Sequence, residues 1–128
     1  MRNILIDTHV LLWWLADDKA LGQQAKSLLA DPHNNIFVSS ASSWEIAIKK
    51  KKGGLEVPEN IATIVEEEGF LPLSITLSHG EMAGSLKKIH KDPFDRMLIA
   101  QTKSEGLELL TVDGIIPNYE ISVIDATK

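Results

Sequence analysis

The chain has 128 residues, is 44% hydrophobic, and carries a formal net charge of −5 with a pI near 5.3. Its length and apolar content fit one globular unit with a genuine core. The acidic balance argues against a protein that holds nucleic acid by bulk positive charge, though not against an enzyme whose bound cations meet a phosphate. With no cysteine, disulfides, thiolate metal sites and cysteine nucleophiles are excluded.

Ile4-Leu5-Ile6 is a short continuous apolar run, the pattern of a strand buried on both faces. Asp7-Thr8 then reads as a helix N-cap, with a first helix over 8–16 and a second over 21–30 closed by Asp31-Pro32. Residues 35–39 form a second strand. Ser40 or Ser42 caps a helix that runs to about Lys51 and stops at Gly53-Gly54. Pro58 opens another helix that ends near Gly69, and 70–73 makes a brief strand. A helix over 78–88 follows. Asp92-Pro93 starts the next helix, with proline at the first helical position, and Gly106 ends it. Residues 108–112 are a strand, Asp113-Gly114 a turn, and 121–124 a last strand. Strands alternating with helical segments predict an α/β chain with a central parallel sheet between helical layers, a three-layer α/β/α domain over 1–128. No stretch reads as a targeting or membrane-spanning segment, since the run 10–16 is far too short. A cytoplasmic protein is expected.

Four carboxylates stand where chemistry would want them. In open parallel sheets, sites form at the carboxyl ends of strands. Asp7 directly follows the first strand and Asp113 follows the 108–112 strand, although a cap and an Asp-Gly turn are simpler readings of each alone. Asp95 is harder to explain as a surface group. At 3.6 residues per turn it falls within the arc of Phe94, Leu98 and Ile99, where an unpaired carboxylate would be costly. The helix-end role for an acid already belongs to Asp92. Glu45 lies at the edge of an apolar arc with Trp44. Four acids without a histidine cluster suit Mg²⁺ or Mn²⁺, hard ions that prefer oxygen ligands and serve phosphodiester hydrolysis.

Four motifs run in order: Ile4-Leu5-Ile6-Asp7-Thr8-His9-Val10-Leu11-Leu12-Trp13, Ser43-Trp44-Glu45-Ile46, the run from His90-Lys91-Asp92-Pro93-Phe94-Asp95 to Gln101, and Leu110-Thr111-Val112-Asp113. On these the sequence resembles the PIN-domain nucleases, specifically the VapC-like toxins of bacterial and archaeal toxin–antitoxin pairs, over essentially its whole length. The resemblance implies a PIN-like fold and a metal-dependent endoribonuclease. Its catalytic and metal-holding quartet would be Asp7, Glu45, Asp95 and Asp113, with Mg²⁺ or Mn²⁺ as cofactor. Thr8 and Thr111 match supporting hydroxyl positions, and Asp92 becomes the helix cap beside Asp95. It further implies an RNA substrate, a cognate antitoxin and a homodimer.

Lys49-Lys50-Lys51-Lys52 suits a helix C-terminus and stays solvated on the simpler reading, while Lys49 could also track phosphate near Glu45. Arg96 is the best single candidate for a substrate-phosphate contact, with an ion pair to one of the acids as the other reading. His9, His33, His79 and His90 are scattered without ligand spacing, so zinc is not expected; His90 could act as an acid or base near the cleft, though an ordinary loop histidine is the simpler reading. Trp13 and Trp14 cannot point the same way on a helix, and Trp44 reads as core. Two other functions compete. A haloacid-dehalogenase-like phosphotransferase would want an aspartate at the position of His9. A catalytically silent PIN-like module for binding RNA or a partner would not need the intact quartet.

Overall fold

The computed structural model describes residues 1–54 and 57–128. Five strands form one all-parallel sheet: β1 (Asn3–Ile6), β2 (Asn35–Ser39), β3 (Leu71–Leu73), β4 (Glu108–Thr111) and β5 (Ser122–Asp125), in the order β3-β2-β1-β4-β5. The helices are α1 (Thr8–Leu15), α2 (Gln23–Ala30), α3 (Ser40–Lys51), α4 (Ile61–Glu67), α5 (Leu77–Ser85) and α6 (Pro93–Glu105). This is the expected helix–sheet–helix architecture.

β1 is central because Ile4, Leu5 and Ile6 are each 0% exposed, so both faces of the strand need covering. Alternation divides them. Ile4 and Ile6 join Leu110 and the apolar residues of α1, α2 and α4 on one face. Leu5 joins Leu109 of β4, Leu98 and Ile99 of α6, and Ile116 on the other. The chain steps outward from β1 through β2 to β3, then crosses back to place β4 on the opposite side of β1. The reversal falls at the carboxyl ends of β1 and β4, the position where such sheets form the crevice that binds ligands.

Local signals explain most element ends. Asp92 accepts the amides of Phe94 and Asp95 at 2.8 and 3.2 Å, Pro93 takes the first turn, and Gly106 closes α6 at φ +67°, a left-handed position that suits glycine. The cap of α3 is Ser39, not Ser40 or Ser42: its Oγ accepts the Ala41 amide. The fourth helix begins at Ile61 rather than Pro58, and residues 114–115 bend into a short 3₁₀ segment over Ile116–Asn118. Among the described residues no helix is long and apolar enough to cross a membrane.

Candidate active site

Asp7 leaves the end of β1 and is only 3% exposed. Its two oxygens are spoken for. Oδ1 accepts the Val10 amide at 2.8 Å, which caps α1, and Oδ2 accepts the Thr111 hydroxyl. The cap and site readings of Asp7 are therefore one geometry. Burial pushes its carboxyl above the ordinary range, against the pull of the Thr111 and Val10 donors. The Thr111 Oγ1 also accepts the amide of Asp113 at 3.0 Å, so one hydroxyl ties Asp7 to the start of the Asp113 loop.

Asp113 is fixed from both sides. Its Oδ1 accepts the amides of Ile115 and Ile116 at 2.7 and 3.3 Å, while Oδ2 lies 2.8 Å from His90 Nε2. Burial works to raise its pKa, but the His90 contact and the two amides outweigh it and hold the carboxyl low. Asp95 is the opposite case. Burial first, then the charges of Asp92, Asp113 and Asp7, push it up to about 7, with His90 pulling the other way. Its Oδ2 lies 3.0 Å from the same His90 Nε2.

His90, which the sequence reads more simply as a loop histidine than as an acid or base near the cleft, joins two of these acids. It is 8% exposed, and its Nδ1 accepts the Asp92 amide at 3.1 Å. An accepting Nδ1 leaves the proton on Nε2, which then donates between Asp95 and Asp113. Tyr119 holds the loop by accepting the His90 amide at 2.7 Å and donating to the Lys87 carbonyl at 2.8 Å. The signal in the sequence was only that His90 stands two residues before the cap of α6.

Arg96 departs from its expected place at a phosphate or an acid. Its guanidinium donates to the carbonyls of Ala83, Leu86, Lys87 and His90 at 2.8–3.2 Å. These carbonyls lie at the end of α5 and in the loop that follows it, so the guanidinium's planar fork fastens the segment that carries His90.

Glu45 is 5% exposed on α3, whose buried positions also include Ala41, Ser42 and Ile46. Its Oε1 accepts the Thr8 hydroxyl at 2.6 Å, and Ser42 stands 3.0 Å from the same hydroxyl. Its Oε2 pairs with Lys49 one turn on, at 2.7 Å. Lys49 is thus engaged with Glu45. Lys50 pairs with Glu59 at 2.7 Å. Trp44, expected in the core, is instead 61% exposed. The inward arc of α3 belongs to Glu45, which Thr8 and Lys49 satisfy, and the neighbouring position therefore turns to solvent. Trp13 and Trp14 are both half-buried against the first core, with the Trp14 ring tilted at 46° to that of Phe70, centroids 6.2 Å apart.

Two of the four predicted acids, Asp95 and Asp113, converge on His90, with Asp92 beside them and Asp7 tied to the start of the Asp113 loop through Thr111. Among the described residues, the ligand atoms of His90, Asp95 and Asp113 lie within 4.8 Å of one another, a spacing that could hold one cation. Glu45 stands outside that group, held by Thr8 and Lys49. The donors are two carboxylates and one imidazole nitrogen, a set that fits a divalent ion, and Asp92 and Asp7 add negative charge around Asp95.

Comparison with known proteins bears on this geometry. The sequence profile of the PIN domain family matches residues 4–121. Ribonuclease VapC16 of Mycobacterium tuberculosis is 37% identical over 60 residues, 44% of this chain and 43% of that protein. Ribonuclease VapC22 of the same organism is 26% identical over 117 residues, 88% of each chain. Among solved structures, a toxin–antitoxin complex from Klebsiella pneumoniae contains a chain of the same fold. It superposes with a TM-score of 0.65 over 96% of this chain and 97% of that one, at 20% identity.

Proposed function

This chain belongs to the PIN domain family, and from that premise we propose that it is a metal-dependent endoribonuclease, the toxin of a toxin–antitoxin pair. The observation that carries the reading is Asp95: a largely buried carboxyl, driven up to about 7 by its burial and by Asp92, Asp113 and Asp7, at the crevice where the sheet order reverses. Among the described residues, its one close polar partner is the His90 Nε2 that it shares with Asp113. A site that must gather cations against a phosphodiester calls for such a charge.

In this reading Asp7, Glu45, Asp95 and Asp113 hold Mg²⁺ or Mn²⁺, which when bound neutralises charge on a phosphodiester and acidifies water. The protein's own part is orientation. Thr111 and the Val10 amide fix Asp7, and the Ile115 and Ile116 amides fix Asp113. Thr8 aims Glu45, whose reach toward the crevice is governed by whether Lys49 keeps or releases Oε2. Asp95 exchanges a proton near neutrality, so its state follows how far its neighbours are neutralised. Asp92 caps α6 and sets the orientation of Asp95.

The same reading takes one nuclease domain over 1–128, RNA as substrate, an antitoxin protein as partner, a homodimer and a cytoplasmic location. It is supported by family membership and by the two ribonuclease relatives. The test is incubation of purified, partner-free protein with structured and unstructured RNA in Mg²⁺ or Mn²⁺, against the same reactions in EDTA. Internal cleavage that needs metal is the expected result. Protein that binds RNA or a partner but cleaves nothing in either metal would support the silent module instead.

A further inference from the structure

The feature left unused by that function is an aromatic pair on the surface beside the acids. Trp44 precedes Glu45 in α3, and Phe94 precedes Asp95 in α6. Successive helical positions diverge by about 100°. In each helix, then, the aromatic residue faces a different way from the acid: Trp44 outward to solvent, and Phe94 partly buried against the core cluster of Leu98 and Ile99. The two aromatic rings meet, with centroids 5.2 Å apart and planes at 75°, an edge-to-face contact. Trp44 is nevertheless 61% exposed. An indole is rarely left so open, since few side chains gain more from burial. Its ring is held in place from one side by Phe94 and left free on the other.

Next to the pair lies a groove of about 320 Å³, lined by Ile75, Ala83, Pro93, Phe94 and Met97 along with Trp44. Arg96 also lines it, and the carbonyls that Arg96 holds belong to the segment carrying Lys87, Lys88 and Lys91, all three exposed. The indole and the groove adjoin Glu45 and Asp95, the residues next to Trp44 and Phe94 in sequence, so whatever covers them lies beside the candidate site. A flat aromatic surface over a small apolar groove at the edge of that site matches one unpaired base of the RNA, with a π-face for the ring.

We propose that Trp44, buttressed by Phe94, is a stacking platform for one unpaired base of the RNA, next to the phosphate that the acids address. This rests on the nuclease reading for its substrate. It makes the scissile position depend on a single-stranded nucleotide, and it gives a sequence-tolerant hold, because every base has a face to stack.

The test pairs variants with modified substrates. Short single-stranded RNA oligonucleotides cleaved by the wild type are remade with one abasic position at a time around the cut. Trp44→Leu should raise KM about tenfold with kcat little changed, and Trp44→Phe should recover most of the loss. One abasic position should weaken the wild type by a similar factor and weaken Trp44→Leu no further. In a second readout without metal, the same oligonucleotides should quench tryptophan emission in wild-type protein and not in Trp44→Leu, which retains Trp13 and Trp14. Wild-type kinetics in Trp44→Leu, or abasic losses that add fully to that substitution, would overturn the platform. So would a Trp44→Leu protein that cleaves normally but loses self-association or a protein partner. Quenching at Trp44 by a protein that cleaves no RNA would keep the platform and sink the nuclease reading.

Discussion

Asp95 keeps its proton up to about 7, whereas an ordinary aspartate loses it near 3.8. Between those values the folded chain binds more protons at this group than the unfolded chain does. The metal-free protein therefore loses stability as pH rises from about 4 to about 7. Asp95→Asn removes that loss. Without metal, urea unfolding at about pH 8 should find the variant more stable than the wild type by roughly 1–3 kcal/mol, with little difference near pH 4. Equal stability at both pH values would mean the carboxyl is not under charge repulsion. The residues that could be read from sequence are those whose surroundings are local. Asp95 stood out because its apolar neighbours lie within one turn. Glu45, Thr8 and Thr111 were located by motif, and their contacts with one another depend on helix and strand ends that meet only in the fold. The surroundings of His90, Trp44 and Arg96 lie beyond a local reading for that same reason. Each is defined by partners on other elements: Asp113 for His90, Phe94 for Trp44, and loop carbonyls for Arg96.

At the scale of elements, α6 is the part that carries the site, and its start combines two duties. Asp92 caps the helix and also adds charge beside Asp95. The two are separable. Asp92→Ala removes the acceptor for two amides and should destabilise the metal-free protein by about 1 kcal/mol in urea unfolding, whereas Asp92→Asn keeps a good cap and should not. If alanine and asparagine behave alike, the cap contributes nothing and the charge is the whole effect. Element identities were well read from periodicity and from the Asp-Pro and Gly punctuation of α6. Boundaries were less so. Pro58 was taken as the start of a helix that begins at Ile61, and Ser39, the last residue of β2, proved to be the cap of α3. A residue that ends one element and caps the next looks like neither in a linear pattern.

Across the whole molecule, the sheet order β3-β2-β1-β4-β5 is what brings Asp7 and the Asp113 loop to the same end of the sheet. β1 and β4 become neighbours only through the crossover, and with them Asp7 and Thr111, which lie 104 residues apart in sequence. Alternating apolar runs predicted a parallel sheet but not this order, which follows from which strand needs covering on both faces. A cation that binds the folded crevice and not the unfolded chain should stabilise by mass action, about 2.7 kcal/mol at a hundredfold excess over Kd. Mn²⁺ should thus raise the melting temperature of the wild type by several degrees and leave Asp95→Asn nearly unmoved. An equal rise in both would place the ion elsewhere.

The most direct measurement is RNA cleavage by Asp95→Asn beside the wild type, at matched Mg²⁺ or Mn²⁺, with both proteins shown folded by their unfolding transitions. The account predicts a loss on the order of a hundredfold or more in the variant, since its carboxamide can neither carry the charge nor exchange the proton. Undiminished cleavage by folded Asp95→Asn would contradict it, and the acids at the crevice would then be a structural cluster rather than the seat of the reaction.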